Sequence, residues 1–441
     1  MRILVANHAN SLDHLGGAEL SLLALLEDWQ SLTCAPEILV VSPGPPGTFS
    51  ARLGQLGIAE IFVTNGRWVL PPFEANPAGR ARSAREGLST LAVLDDIVSS
   101  FRPDAVVTNT ISSPWAAIAA ARAGVPHAWM VREYGDLDHG LVFTLGAEST
   151  KRLINDLSVF VIANSRAVAE HFRRPTNDGS TPLVMYPKAP HSLPEVTPPD
   201  YDGGRINILA IARVTPTKGL GILPYAVRIL RDSGTDARIT IVGSEVHRGY
   251  RSQLIRSAQS LQVDGQLVFK DEQSDISADI TAAHVGLSPG PWEAFGRTTV
   301  EYMSMSRPAI ASRNSGSAEL LRPGFFGQVF DPECPTSLAN AIRWYSEQPA
   351  RVRSEGQRGR SALQEAGSGT LDSAGFMELI VRRLNEREPE REALARNAEK
   401  EVVSTTRSIS RRVPNVLEFP VSLAFRAKRR LWPSSATTWS R

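Results

Sequence analysis

Cysteine is nearly absent: Cys34 and Cys334 are the only two in 441 residues. That excludes a disulfide framework and a cysteine-based zinc site, and it fits a reducing compartment. No run of about 18 apolar residues occurs, so nothing in the sequence is expected to span a bilayer. Charge of one sign is also lacking. Basic side chains number 48 and acidic ones 46, a net +2, so no overall field marks a nucleic-acid binder. The Gly-x-Gly-x-x-Gly fingerprint is missing from both halves, which disfavours nicotinamide or flavin binding. The eight histidines (His8, His14, His127, His139, His171, His191, His247, His284) show no His-Glu-x-x-His spacing, and no metal site is expected. The apolar start Met1–Ala6 is cut short by Asn7 and His8, so it reads as a first strand and not a leader; a cytoplasmic protein is expected.

What is present is a soluble composition, 42% hydrophobic and 21% charged, on a chain too long for one ordinary core. Short apolar runs (3–6, 38–41, 61–63, 105–107, 128–131, 159–163) alternate with helical patterns (18–29, 88–101, 114–123, 166–172). Such alternation predicts a parallel sheet wrapped by helices. Six prolines between Pro182 and Pro199, then Asp202-Gly203-Gly204, interrupt the series. A second alternating series follows from Ile206 to Tyr345. We therefore expect an α/β chain of two doubly wound, Rossmann-like domains facing across a cleft: residues 1–190, a linker at 191–204, and residues 205–384.

Beyond residue 384 the composition changes. Residues 385–401 alternate in charge and predict a solvated helix. From Arg407 to the end, eight basic residues face one acid, Glu418, with apolar residues interleaved. The plainer expectation is a loose tail or a helix packing back on the body. The sharper one is peripheral contact of 407–441 with anionic lipid, weakened by Pro414, Pro420 and Pro433.

The chemistry gathers at strand ends. Gly16-Gly17-Ala18-Glu19 leads from a polar loop into a helix, where paired glycines let the backbone approach a ligand. Arg213 ends one strand, and Lys218 follows five residues on, near the next helix start; together they can grip a diphosphate. Gly243 ends another strand. The most informative stretch is Pro291-Trp292-Glu293-Ala294-Phe295-Gly296-Arg297-Thr298-Thr299-Val300-Glu301. Gly296 and the preceding prolines predict a helix beginning near Arg297, with Glu293 in the approach loop and Glu301 inside the helix. The N–H groups of Phe295, Gly296 and Arg297 are then left for a ligand, a geometry that suits an anion flanked by hydroxyls, such as a nucleotide diphosphate sugar.

Glu293 to Asp331, with Arg213 and Lys218 upstream and Gly16-Gly17-Ala18-Glu19 at the start, resembles the family-4 retaining glycosyltransferases of the GT-B fold over residues 1–384. The resemblance implies a nucleotide diphosphate sugar as donor, no tightly bound cofactor, and no metal. It implies that Arg213 and Lys218 stabilise the departing diphosphate and that Glu293 contacts the donor sugar, these three being the catalytic set. Glu301 would accept from the ribose, with Gly16, Gly17, Gly243, Phe295, Gly296 and Arg297 completing the nucleotide-sugar site. The acceptor would be a saccharide or lipid-linked saccharide of cell-surface polysaccharide synthesis. Two other readings are a sugar-nucleotide epimerase on the same fold and a catalytically silent saccharide-binding protein.

Three positions stand apart from the pattern. Many family members carry a His near the end of the strand after Val125-Pro126, and here Arg132 falls at that point, while His127 reads as a packed imidazole at the strand's start. Arg307 stands where the family has glycine, with no consequence expected. Asp136-Leu137-Asp138 imitates a metal-binding Asp-x-Asp but reads as a solvated loop or the rim of the acceptor site.

Overall fold

The computed structural model describes residues 1–12, 15–64, 66–173, 181–188, 201–273, 275–365, 371–384 and 389–411. Most of the expected linker, with His14, His191 and the basic stretch 412–441, lies outside them.

The first half carries strands β1 (Arg2–Ala6), β2 (Glu37–Pro43), β3 (Ala59–Val63), β4 (Val69–Leu70), β5 (Ala105–Asn109), β6 (His127–Val131), β7 (Val142–Phe143), β8 (Phe160–Ala163) and β9 (Leu183–Val184). Seven of these form one sheet in the order β3-β2-β1-β5-β6-β8-β9, all parallel. Strands β4 and β7 make a small antiparallel pair. The second half carries β10 (Ile206–Ile211), β11 (Ala237–Val242), β12 (Leu267–Lys270), β13 (Val285–Ser288), β14 (Ala309–Ser312) and β15 (Gln328–Phe330). Their sheet, ordered β12-β11-β10-β13-β14-β15, is also all parallel.

Both sheets are buried on two faces, as parallel sheets with crossover helices must be. Successive side chains of β1 illustrate it. Leu4 joins one core with Val106 and Trp129, whereas Ile3 and Val5 join another with Leu22 and Trp29. The period of two does the same in β10, where Ile208 and Leu209 enter different cores. In each sheet the strand order reverses once, between β1 and β5 and between β10 and β13. The helices diverge at such a point and leave a crevice beyond the carboxyl ends of the strands. The loops carrying Gly16, Arg213 and Glu293 all leave from those strands.

The C-terminal stretches depart from the sequence boundaries. Helix Ser373–Leu384, expected in the second half, packs on the first. Its Phe376, Met377 and Ile380 enter the core around helix Gly17–Gln30, and the Trp29 indole donates to the Ser373 carbonyl at 3.0 Å. The described residues of the charged stretch form a mostly solvated helix, as expected, but one face of that helix is anchored. Helix Pro389–Arg411 lays Ala398, Val402 and Val403 into the first-half core. Its outer carboxylates clamp that contact: Glu399 accepts from Arg122 at 2.8 Å and Glu401 from Arg152 at 2.5 Å. The apolar stripe Ala398, Val402, Val403 spans a single face at helical spacing, which the surrounding charges mask in the sequence.

Candidate active site

The second half presents its charges at the ends of β10 and β13. After β10, Arg213 stands exposed, and a short turn Pro216–Lys218 ends at Gly219. Gly219 has φ +68° and sits where a Cβ would lie 2.3 Å from the Pro289 carbonyl, so glycine lets this turn nest against the loop after β13. Nesting brings Lys218 Nζ to 2.6 Å from Glu293 Oε2, an ion pair that is 16% and 26% exposed at its two side chains. Arg213 Nη2 donates to His139 Nδ1 at 3.1 Å, across to the first half. Gly243 follows β11 with its α-carbon packed on the Ala212 carbonyl, 2.1 Å from where a Cβ would be, so a packing reason suffices for glycine there.

The predicted helix start is observed. Helix Arg297–Ser304 begins after Gly296, which has φ +88° and lies against Ser317 so closely that no Cβ fits. The neighbouring loop is bound in by the Gly316 N–H, which donates to the Glu293 carbonyl at 2.6 Å. Among the described residues the N–H groups of Phe295, Gly296 and Arg297 donate to no protein acceptor. Four residues into the helix, the carboxylate of half-buried Glu301 accepts no hydrogen bond from a described residue. A helix N-terminus with unspent N–H groups, an unpaired carboxylate and nearby cations can receive a phosphate and a diol together.

Electrostatics separate the two glutamates. Burial pushes the Glu293 carboxyl up, but the charge and hydrogen bond of Lys218 outweigh it and hold Glu293 below its ordinary value. Burial pushes Glu301 up to about 7, only partly offset by Arg297. Burial also lowers Arg297. His139 is lowered by burial, with Arg213 and Lys218 adding to the effect against Asp138. A neutral imidazole with its proton on Nε2 is the form that accepts from Arg213.

The facing rim of the first half is a buried polar network. Asn109, ending β5, donates to Asn7 Oδ1 at 3.0 Å and accepts from Arg132 Nε at 2.5 Å. Glu133 accepts from the Ile111 N–H at 2.9 Å, and burial pushes its carboxyl up to about 7. His127 is a packed imidazole, bonded to Thr108 Oγ1 at 2.8 Å and Ser158 Oγ at 3.0 Å and lowered by burial to about 3. Asp138 is neither solvated nor open to a metal: it is buried and accepts from the N–H groups of Tyr134 and Gly135 at 3.0 and 2.8 Å. Arg307 has a consequence after all. Its guanidinium is buried and donates to the carbonyls of Ile280, Thr281, Ala283 and Met305, closing the end of helix Ser277–Ala282.

The two halves touch through residues the sequence reading had assigned otherwise or missed. Arg297 reaches across to Ser21 Oγ at 3.4 Å, and its Cδ lies 2.9 Å from where a Gly17 Cβ would be. Glu19 holds the glycine loop by accepting from Ser11 and from the Gly16 N–H at 2.9 Å. Glu319, on the second half, accepts from the N–H groups of Arg166 and Ala167 at 2.8 and 2.6 Å and from the Tyr186 hydroxyl at 3.0 Å. Tyr186 packs on Phe295, with ring centroids 5.7 Å apart. The only sequence signal for Glu319 is its place three residues after Gly316, which does not say what it caps.

Two all-parallel doubly wound sheets meeting at their strand ends, with charge concentrated on the second, define the class: a two-lobed GT-B protein. Solved structures agree in fold. HepE from Anabaena, crystallised with UDP, superposes with a TM-score of 0.65 at 20% identity over 87% of this chain and 100% of that one. Sucrose-phosphate synthase from Thermosynechococcus elongatus gives 0.64 at 16% identity over 86% and 98%. The glycosyl transferases group 1 model matches residues 199–362, and the glycosyl transferase 4-like domain model matches 16–184. The chain belongs to the family-4 glycosyltransferases of the GT-B fold.

Among characterised relatives, the GDP-mannose-dependent alpha-(1-6)-phosphatidylinositol dimannoside mannosyltransferase of Mycobacterium tuberculosis is 31% identical over 160 residues, 36% of this chain and 40% of that protein. The amylovoran biosynthesis glycosyltransferase AmsK of Erwinia amylovora is 27% identical over 155 residues, 33% and 37% of the two chains. The chain thus aligns with less than half the length of these relatives. No helix of the described residues is long and apolar enough to cross a membrane.

Proposed function

We propose that this protein transfers a sugar from a nucleotide diphosphate sugar to a saccharide or lipid-linked acceptor, with retention at the anomeric carbon. The observation that carries the reading is the Lys218–Glu293 ion pair set beside Arg213 and the unspent N–H groups at the start of helix Arg297–Ser304. When the glycosidic bond to the diphosphate breaks, negative charge grows on the leaving oxygen. In this reading Lys218, Arg213 and the helix N-terminus supply fixed donors to that charge. Glu293, held ionised by Lys218, accepts from hydroxyls of the transferred sugar. Glu301 accepts from the ribose diol, which is common to all candidate nucleotides. Gly16-Gly17, Gly243, Phe295, Gly296 and Arg297 contribute backbone close to the nucleotide sugar, and no step in this account requires a metal.

The relatives support a carbohydrate or lipid-linked acceptor: one acts on phosphatidylinositol dimannoside and another serves amylovoran biosynthesis, as their names state. Peripheral attachment through the basic stretch 407–441 fits a lipid-linked acceptor. A thermal-shift screen with UDP-, GDP-, ADP- and dTDP-sugars tests the donor, because a ligand that binds the native state raises apparent stability by mass action. Incubation with the stabilising donor, with and without acceptor, then separates transfer from epimerisation. Absence of stabilisation by every nucleotide would overturn the reading.

A further inference from the structure

We propose that Arg132 forms a subsite for a carboxylate borne by a sugar in the cleft, so that the donor or the acceptor is a hexuronate. The inference rests on the nucleotide-sugar reading above and adds a substrate class to it. Arg132 directly follows β6, beside the ends of β5 and β1, on the rim of the first half that faces the second. It is 8% exposed. A guanidinium carries five N–H donors. Here one is committed, Nε to Asn109 Oδ1, and one meets only the weak acceptor Met130 Sδ at 3.7 Å. Arg132 forms no ion pair among the described residues. A buried arginine without a carboxylate partner is costly, and structures that keep one supply the anion from elsewhere.

The surroundings leave that anion to be supplied by a ligand. The neighbouring carboxylate, Glu133, is turned to the Ile111 N–H and held up at about 7 by burial. Burial depresses Arg132 to about 10; the charge of Glu133 opposes that shift and the facing cation Arg297 adds to it, so Arg132 stays charged at neutral pH with no carboxylate hydrogen-bonded to its fork. The group is also held rigid. Asn7 fixes Asn109, and Asn109 fixes Nε, so the two terminal nitrogens keep one orientation. A fixed planar fork matches a carboxylate through two parallel bonds. The leaving diphosphate is already served by Arg213, Lys218 and the helix start on the other half, which leaves Arg132 for a different charge.

The test uses the full chain and matched pairs of probes. In the donor arm, affinities are compared for UDP-glucose against UDP-glucuronate, UDP-galactose against UDP-galacturonate, and GDP-mannose against GDP-mannuronate. In the acceptor arm, transfer from the preferred donor is compared for methyl hexosides against methyl hexuronides. In one arm the acidic member should be favoured by about 10- to 100-fold, the range for a hydrogen bond to a charged group. Arg132→Gln should bring that ratio close to one while leaving the affinity for the bare nucleoside diphosphate unchanged. Should Arg132→Gln fail to fold, Arg132→Lys is read instead; it keeps the charge, lacks the fork, and should lose most of the preference. Equal treatment of acidic and neutral sugars in both arms overturns the proposal. So does an Arg132→Gln protein that loses bare nucleotide as strongly as uronate, because Arg132 then serves the diphosphate. Either result leaves the glycosyltransferase reading standing, whereas failure to bind any nucleotide removes both.

Discussion

The two rims of the cleft are built on the same parallel scaffold and solve opposite problems. On the second half the charged groups lie nearer the solvent and pair loosely: Lys218 and Glu293 hold each other, Arg213 reaches out to His139, and the Glu301 carboxylate accepts nothing from a described residue. On the first half the polar groups are buried and bonded inward, as in the chain Asn7–Asn109–Arg132, the cap at Asp138 and the packed His127. One rim keeps most of its charged groups available for a ligand, whereas the first half offers only the Arg132 fork. Apart from that fork, the first half uses its polar groups to hold a shape, because a buried polar group that is left unpaired costs more than it gains. The difference teaches where catalysis and where selectivity should respond to mutation.

The comparison is tested most severely at Lys218. Lys218→Ala should lower kcat by about 10²- to 10³-fold, the usual cost of one preorganised donor, with a melting temperature close to that of the parent. A near-normal kcat in a folded variant would place the chemistry elsewhere. A smaller effect is expected at Glu301. Glu301→Gln should weaken nucleotide binding by about 10-fold, in line with one hydrogen bond to a charged group, as measured by calorimetry. Binding by the parent should also tighten as pH rises through about 7, because the ribose diol needs the ionised carboxylate, whose folded-state value is raised by burial. In Glu301→Gln that pH dependence should flatten, and a profile unchanged by the substitution would separate Glu301 from the ribose.

The free protein should show the opposite trend. Glu301 and Glu133 both have folded-state values raised to about 7 from an ordinary 4.5, so the folded state binds the extra protons. Their contribution to stability is present below the unfolded value and is lost as pH rises through 7. The buried His8 and His127, lowered to about 4 and about 3, act in the opposite direction below pH 6.5, so the carboxyl effect is read as a difference: from pH 5 to 8 without ligand the melting temperature of the parent should fall relative to that of Glu301→Gln. The smallest effect is expected where the halves meet. Glu319→Gln loses the charge that caps helix Arg166–His171 from across the interface, and should destabilise the protein by about 1–3 kcal/mol. Scanning calorimetry would detect it, and an unchanged transition would mean that the contact contributes no net stability.

Much of this was legible beforehand. The alternating runs gave both sheets nearly strand for strand, because buried parallel strands read as uninterrupted apolar segments and each is followed by a helical stripe. The start of the helix after Gly296 was legible from its glycine and prolines, since proline fixes φ and glycine readily takes the left-handed conformation found at Gly296. The fate of 371–411 was not. Charge alternation hid a narrow apolar stripe, and nothing local in Phe376 or Val402 states which half will cover it.

The amino-acid order alone determined the class of fold, the two switch-point crevices and the roster of charged residues at the strand ends, because backbone preference and hydrophobic period act within a few neighbours. Only the assembled fold decided that Lys218 meets Glu293, that Arg297 lies against Gly17, that Glu319 caps a helix of the opposite half, and that Arg132 is buried with its fork unspent. Those pairings join residues from 75 to 280 positions apart, and burial, which sets their charge, is a property of everything packed around them.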